Sequence, residues 1–98
     1  MTAAELEEWL ETAESQAVGW KGKQGTDSES VGHASGRAIV KILRQRNNQL
    51  TSDDYRHMRK VVGFIRRHSA QRQQNIYTSR WRYSLMNWGH DPVKEDEA

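Results

Sequence analysis

The sequence contains no cysteine, a single proline and a single phenylalanine among its 98 residues. The lack of cysteine excludes disulfide bonds and thiolate metal sites, as is usual for an intracellular protein. No apolar run approaches the roughly 18 residues of a membrane span, so we expect a small soluble protein that makes no contact with membranes. The amino terminus is acidic and has no apolar signal region, so we expect a cytoplasmic location, associated with the nucleoid if the protein is bacterial.

Hydrophobic residues are also scarce, at 35% of the chain, and the mean hydropathy is −1.00. A chain of this length forms one domain at most and has little apolar material for a core. Apolar residues recur with helical spacing, and no stretch alternates as a strand does. We therefore predict an all-α fold, a small three- to four-helix domain with a flexible glycine-rich linker and frayed acidic ends.

Acidic residues are missing from the whole stretch between Tyr55 and His90. Residues 31–90 hold twelve bases and two acids, a net charge of +10. Residues 1–30 hold seven acids and two bases, which gives −5, and residues 91–98 hold four acids and one base, which gives −3. The overall charge of +2 thus hides a strongly basic centre, and such a centre favours a polyanionic partner.

Composition divides the chain into four segments. Residues 1–14 form a predicted acidic amphipathic helix, in which Thr2 and Glu5 have the spacing of a capping box. Residues 15–34 are rich in glycine and serine and are predicted to be a mobile linker. Residues 35–92 form the predicted basic helical domain, and residues 93–98 form an acidic tail.

Three helices are predicted within the basic domain, at residues 35–47, 52–71 and 79–88. Ser35 is an acceptable N-cap for the first, and Thr51 with Asp54 gives the second a shortened capping box. Gly89 is well placed as the left-handed residue after the third helix. Pro92 should then prevent the helix from resuming.

The predicted helix at residues 52–71 has two contrasting sides at 100° per residue. We expect its apolar side to face the core; that side holds Tyr55, Met58, Val61, Val62, Phe64 and Ile65. The opposite side holds five cations, with Gly63 among them. A glycine inside a helix costs about 1 kcal/mol relative to alanine, so Gly63 favours close approach of either a phosphate ridge or another helix.

The cationic side favours a nucleic-acid-binding protein, and above all sequence-tolerant DNA binding through phosphates. Ten of the twelve central bases are arginine, which can hold a phosphate through two parallel hydrogen bonds. The predicted contact residues are Arg56, Arg59, Lys60, Gly63, Arg66 and Arg67, supported by Arg37, Lys41, Arg44, Arg80, Arg82 and Tyr83.

Two other hypotheses are open at this point. Four tryptophans are many for so small a chain, and Trp9 and Trp20 fall outside the predicted core. The alternative function is therefore a protein–protein interaction module that uses exposed tryptophans and the basic side. The opposite charges of residues 1–30 and 31–90 also suggest autoinhibition, in which the acidic arm covers the cations until DNA displaces it.

Neither metal binding nor catalysis is favoured by the motifs. His57 and His68 share one edge of the predicted helix, but about 16 Å separates them along its axis, too far to bind one ion. The sequence contains neither a glycine-rich phosphate loop nor a GxSxG motif. We expect no enzyme activity, no metal site and no cofactor.

Three blocks of the sequence, GHASGRAIVKIL, HMRKVVG and RWRYSLMNWGHDP, resemble a small uncharacterised bacterial and fungal domain family. Some members of that family are labelled as DNA-binding proteins. The resemblance covers Val18 to Lys94, and its most specific blocks are His57 to Gly63 and Arg80 to Pro92. It implies DNA binding and brings no catalytic residues.

Overall fold

The structure is a computed structural model that describes residues 1–19, 29–71, 77 and 79–97. Six α-helices and one short 3₁₀ helix occupy this part of the chain, and it contains no strand, so the predicted all-α class is confirmed. In chain order the elements are α1 (Ala3–Leu10), α2 (Ala13–Ala17), α3 (Val31–Arg44), the 3₁₀ helix (Asn47–Gln49), α4 (Ser52–Ser69), α5 (Arg80–Asn87) and α6 (Pro92–Glu97).

Both predicted capping boxes are present. Thr2 and Glu5 begin α1, and Thr51 and Asp54 begin α4. In each box the hydroxyl accepts a hydrogen bond from the backbone N–H of the acidic residue, whose carboxylate accepts one from the N–H of the cap. Two of the unpaired donors at each helix start are thereby satisfied. Gly89 follows α5 with φ +84°, in agreement with the prediction of a left-handed residue.

The predicted start at Ser35 of the helix at residues 35–47 is wrong, because α3 begins at Val31. Its N-cap is Ser30, whose hydroxyl accepts a hydrogen bond from the His33 N–H at 3.1 Å. Ser35 and Gly36 are buried inside the helix. Gly32, which composition assigned to the linker, lies inside α3, and its missing Cβ leaves room for Trp88, whose Nε1 would lie 2.9 Å from that atom. Residues 20–28 of the predicted linker lie outside the described residues.

The amino-terminal segment is part of the core, which corrects the prediction that this acidic end is frayed. Leu6 is fully buried and Leu10 nearly so. Both belong to one cluster with Ile39 of α3, Val61 of α4 and Trp88 after α5. The predicted single helix is also two helices, α1 and α2, because the chain turns after Leu10.

The carboxyl end is helical, so the prediction of a frayed tail is wrong. The helix before Gly89 does not resume, but Pro92, which was predicted to stop it, begins a new helix. Pro92 is the first residue of α6, where its missing N–H would have had no partner within the helix anyway. The carboxylate of Asp91 accepts a hydrogen bond from the Val93 N–H at 3.1 Å. Val93 itself is buried with Trp81 and Leu85 in a second cluster.

The core-facing side of α4 is narrower than its apolar residues suggest. Phe64 and Ile65 contact both buried clusters, and Val61 is buried. Tyr55 and Val62, which were predicted to face the core, are 52% and 45% exposed. The reason is that α4 packs mainly against α3 and α5, which cover one part of its circumference and leave the rest to solvent.

Four rings form a stack between α4 and the end of α5. Trp88 lies between His57 and Phe64, with centroid distances of 6.4 and 4.3 Å, and Phe64 stacks in turn on His68 at 4.9 Å. Adjacent rings in the stack are tilted by 23° or less. Because both faces of the two central rings are covered, they contribute to packing and have no free face for a nucleobase.

His68 makes the folded protein sensitive to pH. Burial lowers the pKa of this imidazole, and its Nε2 atom is buried without a hydrogen-bond partner. The folded state therefore favours the neutral ring, whereas the unfolded chain takes up a proton near pH 6.5. The contribution of His68 to stability is fully present above about pH 6.5. It decreases as the pH falls from there to the pKa of the folded state.

We expect His68→Phe, which preserves the ring against Phe64, to reduce this pH dependence. Between about pH 7.5 and 5.5, the free energy of unfolding should fall more for the wild type than for the variant. The difference should be a fraction of the roughly 1.4 kcal/mol per pH unit that one proton allows, since the ring is partly solvated. Urea unfolding at both pH values measures this difference. An equal change in the free energy of unfolding for the wild type and the variant would contradict the role of His68.

Candidate nucleic-acid interface

Four cations lie on the part of α4 that faces away from the core: Arg59, Lys60, Arg66 and Arg67. All four side chains are exposed, and none has an acidic partner in the part of the chain that the structure describes. They form two pairs of adjacent residues, and corresponding members of the two pairs are seven positions apart. The pairs are therefore about 10.5 Å apart along the helix axis. We call these residues the four α4 cations.

The direction of α4 explains why some of these charges are tolerated together. Asp53 and Asp54 lie in its first turn, and Arg66 and Arg67 lie in its last turn, so both ends carry the charge that the helix dipole favours. Helix stability thus accounts in part for the last two cations. It does not account for Arg59 and Lys60, which lie in the middle of the helix.

Arg56 and Gly63 differ from these cations in their surroundings. The Nη1 atom of Arg56 lies 3.3 Å from Oδ1 of Asp53, and both side chains are at least 74% exposed, so this ion pair is weak and leaves Arg56 accessible. A Cβ atom added to Gly63 would lie 3.2 Å from Nη1 of Arg67 and would meet no other residue of the described structure within 4 Å. The hypothesis that Gly63 admits a neighbouring helix is therefore wrong for the described residues.

The predicted cations of α3 are mostly engaged in ion pairs. The Nε of Arg37 donates to Glu29 at 2.7 Å and its Nη2 bonds the second oxygen, and these bonds lower the pKa of Glu29 to about 2. Arg44 Nη1 lies 3.1 Å from a carboxylate oxygen of Glu7. Lys41 is exposed and has no partner in the described residues. Of these three cations, Lys41 alone has no carboxylate partner within the described residues.

Arg82 has a structural role that the sequence did not indicate. Its Nε and Nη2 atoms donate to the two oxygens of Asp91 at 3.1 and 3.2 Å, and Nη1 donates to the Tyr77 carbonyl at 2.6 Å. Burial by itself raises the pKa of Asp91, but the hydrogen bonds from Arg82 and from the Val93 N–H outweigh it and hold the pKa below its ordinary value. Arg82 therefore fastens α5 to the start of α6 and is not free for a phosphate.

Tyr83 and Arg80 complete the predicted set. The ring of Tyr83 is partly buried and packs on Trp9, with centroids 5.4 Å apart and planes tilted by 41°. The ring is therefore engaged in packing against Trp9. Arg80, the first residue of α5, is exposed and has no partner among the described residues.

The acidic residues of α1 do not cover the four α4 cations. Glu5 pairs with Lys94, and Glu7 pairs with Arg44. The helix itself packs mainly on α3. For the four α4 cations, the autoinhibition hypothesis is therefore wrong within the described residues of this arm. Glu7 and Glu29 of the arm do pair with Arg44 and Arg37 of α3.

Trp9 and Trp20 were the two tryptophans predicted to anchor a protein partner. The indole N–H of Trp9 donates to Oδ1 of Asn87 at 2.8 Å, and its ring is partly buried against the core. This side chain is committed to the fold. Trp20 lies outside the described residues.

An exposed apolar strip lies beside the cations, and sequence periodicity had assigned it to the core. Tyr55, Met58 and Val62 line a shallow groove of about 450 Å³, together with Arg59 and Arg66. The angular positions of these residues around α4 could have indicated from the sequence that the strip is exposed. At 100° per residue, Tyr55 and Val62 lie closer to the two arginines than to the buried Val61.

The described residues offer little for catalysis or for a metal. The hydroxyl of Ser35 lies 3.0 Å from Nε2 of His57, but Ser35 is only 4% exposed between packed helices, so a substrate has no access to it. No three histidine, aspartate or glutamate side chains within the described ranges come together as a metal site. No helix among the described residues has both the length and the apolar character required to cross a membrane.

Comparison with known proteins identifies a family but no characterised relative. Neither the curated proteins nor the solved structures contain a significant match to the chain. A family model described as "Protein of unknown function (DUF3140)" matches residues 1–86, from the start of the chain into α5. The match includes α1, which the resemblance noted in the sequence did not cover. The chain therefore belongs to this family of unknown function, DUF3140.

Proposed function

We propose that this protein binds nucleic acid, and DNA in preference, by placing α4 against the sugar–phosphate backbone. The observation that carries this proposal is the exposure of the four α4 cations without acidic partners in the described residues. A cation that is already paired must give up its carboxylate before it binds a phosphate, whereas these four need not. Phosphate contacts of this kind supply most of the non-specific affinity for nucleic acid.

The spacing of the cations is compatible with DNA. Arg59 and Lys60 are about 10.5 Å along the helix axis from Arg66 and Arg67. The major groove of B-DNA is roughly 12 Å wide. If α4 lies across the groove, each pair contacts one of the two phosphate ridges. The three arginines can each hold a phosphate through two parallel hydrogen bonds.

The same face of α4 carries few groups that read base sequence. No asparagine, glutamine or serine occurs between Arg56 and Arg67. Contacts to phosphates position a protein on DNA but carry no sequence information of their own. We therefore infer sequence-tolerant binding, with Arg56, Lys41 and Arg80 as peripheral contacts. Arg37, Arg44, Arg82 and Tyr83 are left out because the structure engages them elsewhere.

A salt series tests this proposal. We expect labelled duplex DNA to bind at low salt, with a slope of log affinity against log salt of about −4 for four phosphate contacts. Lys60→Ala combined with Arg67→Ala should reduce the magnitude of the slope by about 2 and weaken binding. Arg59→Glu combined with Arg66→Glu should abolish binding while the circular dichroism spectrum stays helical. Single-stranded DNA and RNA of equal length should bind more weakly than the duplex.

Arg37→Ala combined with Arg44→Ala is the matched control. It removes the same number of positive charges, but from cations already paired with Glu29 and Glu7. We expect its salt slope to stay close to that of the wild type. Absence of duplex binding at low salt, a slope near zero, or equal losses in both double variants would each contradict the proposal.

A further inference from the structure

The apolar strip on α4, formed by Tyr55, Met58 and Val62, is explained neither by the core nor by nucleic-acid binding. Tyr55 and Val62 are 52% and 45% exposed, and Met58 is partly exposed. The three residues occupy positions i, i+3 and i+7, so they form one line about 10 Å long. A sugar–phosphate surface is polar and charged, and it offers no apolar surface of matching shape for this line.

We propose that the strip docks an acidic amphipathic helix of another protein. Arg59 and Arg66 line the same groove as the three apolar residues. Neither arginine has a carboxylate partner among the described residues. A partner helix with apolar residues at i, i+3 or i+4, and i+7 buries the strip, and its flanking Asp or Glu residues pair with the two arginines. Charge complementarity thus selects an acidic partner.

The shape of the strip favours a helix over an extended peptide. The strip lies on a helix, and the described part of the chain has no strand whose edge an extended segment could join. Its two ends also differ in charge, because Asp53 and Asp54 begin α4 and Arg66 lies in its last turn. The acidic residues of the partner therefore belong over Arg59 and Arg66, and the partner residues over Tyr55 are neutral or basic.

Two other occupants fit this surface less well. A second copy of the chain, docked antiparallel about a two-fold axis at the middle of the strip, would bring the Arg59 side chains of both copies together, and like charges at an interface are unfavourable. The chain has an acidic amphipathic helix of its own, α1, but its apolar residues Leu6 and Leu10 are already buried in the core. It therefore has no free apolar side for α4 of the same molecule.

Docking at the strip does not require that the protein also bind DNA. Lys60 and Arg67 lie on the side of α4 away from Val62, whereas Arg59 and Arg66 border both surfaces. A helix bound at the strip competes with DNA for these two arginines only. Variants that change the strip and keep all cations therefore separate the two functions.

The experiment uses the full chain, labelled with ¹⁵N, and a designed peptide of about 16 residues with leucines along one side and glutamates beside them. We expect the peptide to shift amide resonances of residues 55–66. Tyr55→Ser combined with Val62→Ser should weaken its binding by about tenfold or more. Replacing the glutamates of the peptide by glutamine should weaken binding to a similar extent. Duplex DNA affinity of the Tyr55/Val62 variant should stay within about twofold of the wild type.

Leu43→Ser is the matched control, since Leu43 is a 50% exposed apolar residue on α3, outside the strip. It should bind the peptide as the wild type does. The proposal is overturned if no shifts appear up to about 1 mM peptide, or if the glutamine peptide binds equally well. It is also overturned if Leu43→Ser causes the same loss, if the strip mediates self-association of the free protein, or if the strip variant loses DNA affinity to the same degree as peptide affinity.

Discussion

Replacing Gly36 by alanine should destabilise the protein by about 2 kcal/mol or more, although alanine is the better helix former by about 1 kcal/mol. The new Cβ would lie 2.5 Å from the backbone oxygen of Asn87 and 2.7 Å from Cδ2 of Leu10. A carbonyl oxygen cannot rotate away as a side chain can, so α3 and α5 must separate and the packing of Leu10 is disturbed. Urea unfolding at neutral pH measures the loss.

Gly63→Ala is the matched control, because it makes the same change inside another helix. Its Cβ meets only the far end of the Arg67 side chain, at 3.2 Å, and that end can move. We expect this variant to be as stable as the wild type or more stable by up to about 1 kcal/mol. If both variants shifted stability in the same direction by similar amounts, the explanation from close helix approach would be wrong.

Asn87→Ala should reduce the free energy of unfolding by about 3 kcal/mol or more. Asn87 is 1% exposed, and its Oδ1 accepts hydrogen bonds from the Trp9 indole N–H at 2.8 Å and from the Ser15 hydroxyl. Its Nδ2 donates to the Ser15 carbonyl at 3.0 Å. The substitution removes three hydrogen bonds and leaves buried polar groups without partners, each at a cost of about 1–3 kcal/mol. Marginal overall stability makes such a loss large.

A double-mutant cycle with Ser15→Ala checks the origin of this effect. Ser15→Ala alone removes one of the three hydrogen bonds and should cost clearly less than Asn87→Ala. Because the two residues are in contact, the double variant should lose less stability than the sum of the single losses. An additive result, or a loss of less than about 1 kcal/mol for Asn87→Ala, would mean that the network contributes little.

The hydrogen bonds of Asn87 also make deletion of the acidic arm, residues 1–30, a poor test of the effect of its charge. It joins α1 and α2 to α5, and Leu6 and Leu10 supply part of the core. Deleting the first 30 residues would therefore remove core side chains along with the acidic charges, and a change in DNA affinity would have no simple cause. Glu7→Gln in α1 and Glu11→Gln directly after it remove charge at exposed positions and leave the buried leucines of α1 in place.

Features that depend on neighbours in the chain were predicted well. The capping boxes of α1 and α4 were recognised because their hydrogen bonds join residues three apart. The left-handed Gly89 was recognised because a glycine that ends a helix needs only local backbone freedom. The concentration of positive charge between residues 31 and 90 follows from composition alone. The all-α class follows from apolar periodicity.

Errors in the predicted fold involve residues whose roles depend on distant contacts. Gly32 looks like a linker residue until Nε1 of Trp88 is placed 2.9 Å from its missing Cβ. Leu6 looks like part of a solvated acidic helix until α3 and α5 enclose it. Val62 looks like a core residue until the neighbours of α4 leave it exposed.

The sequence by itself therefore determined that this is a helical protein with a basic centre, and that α4 carries five of the twelve bases of that centre. Only the tertiary structure decided which cations have partners: Arg82 is bound to Asp91 and Arg37 to Glu29, while Arg59 and its three neighbours are left free in the described residues. The physical reason is the separation along the chain of the residues that interact. Helix formation and capping act over three or four residues, whereas burial and ion pairing depend on which helices meet, and that is set by contacts between residues far apart in the chain.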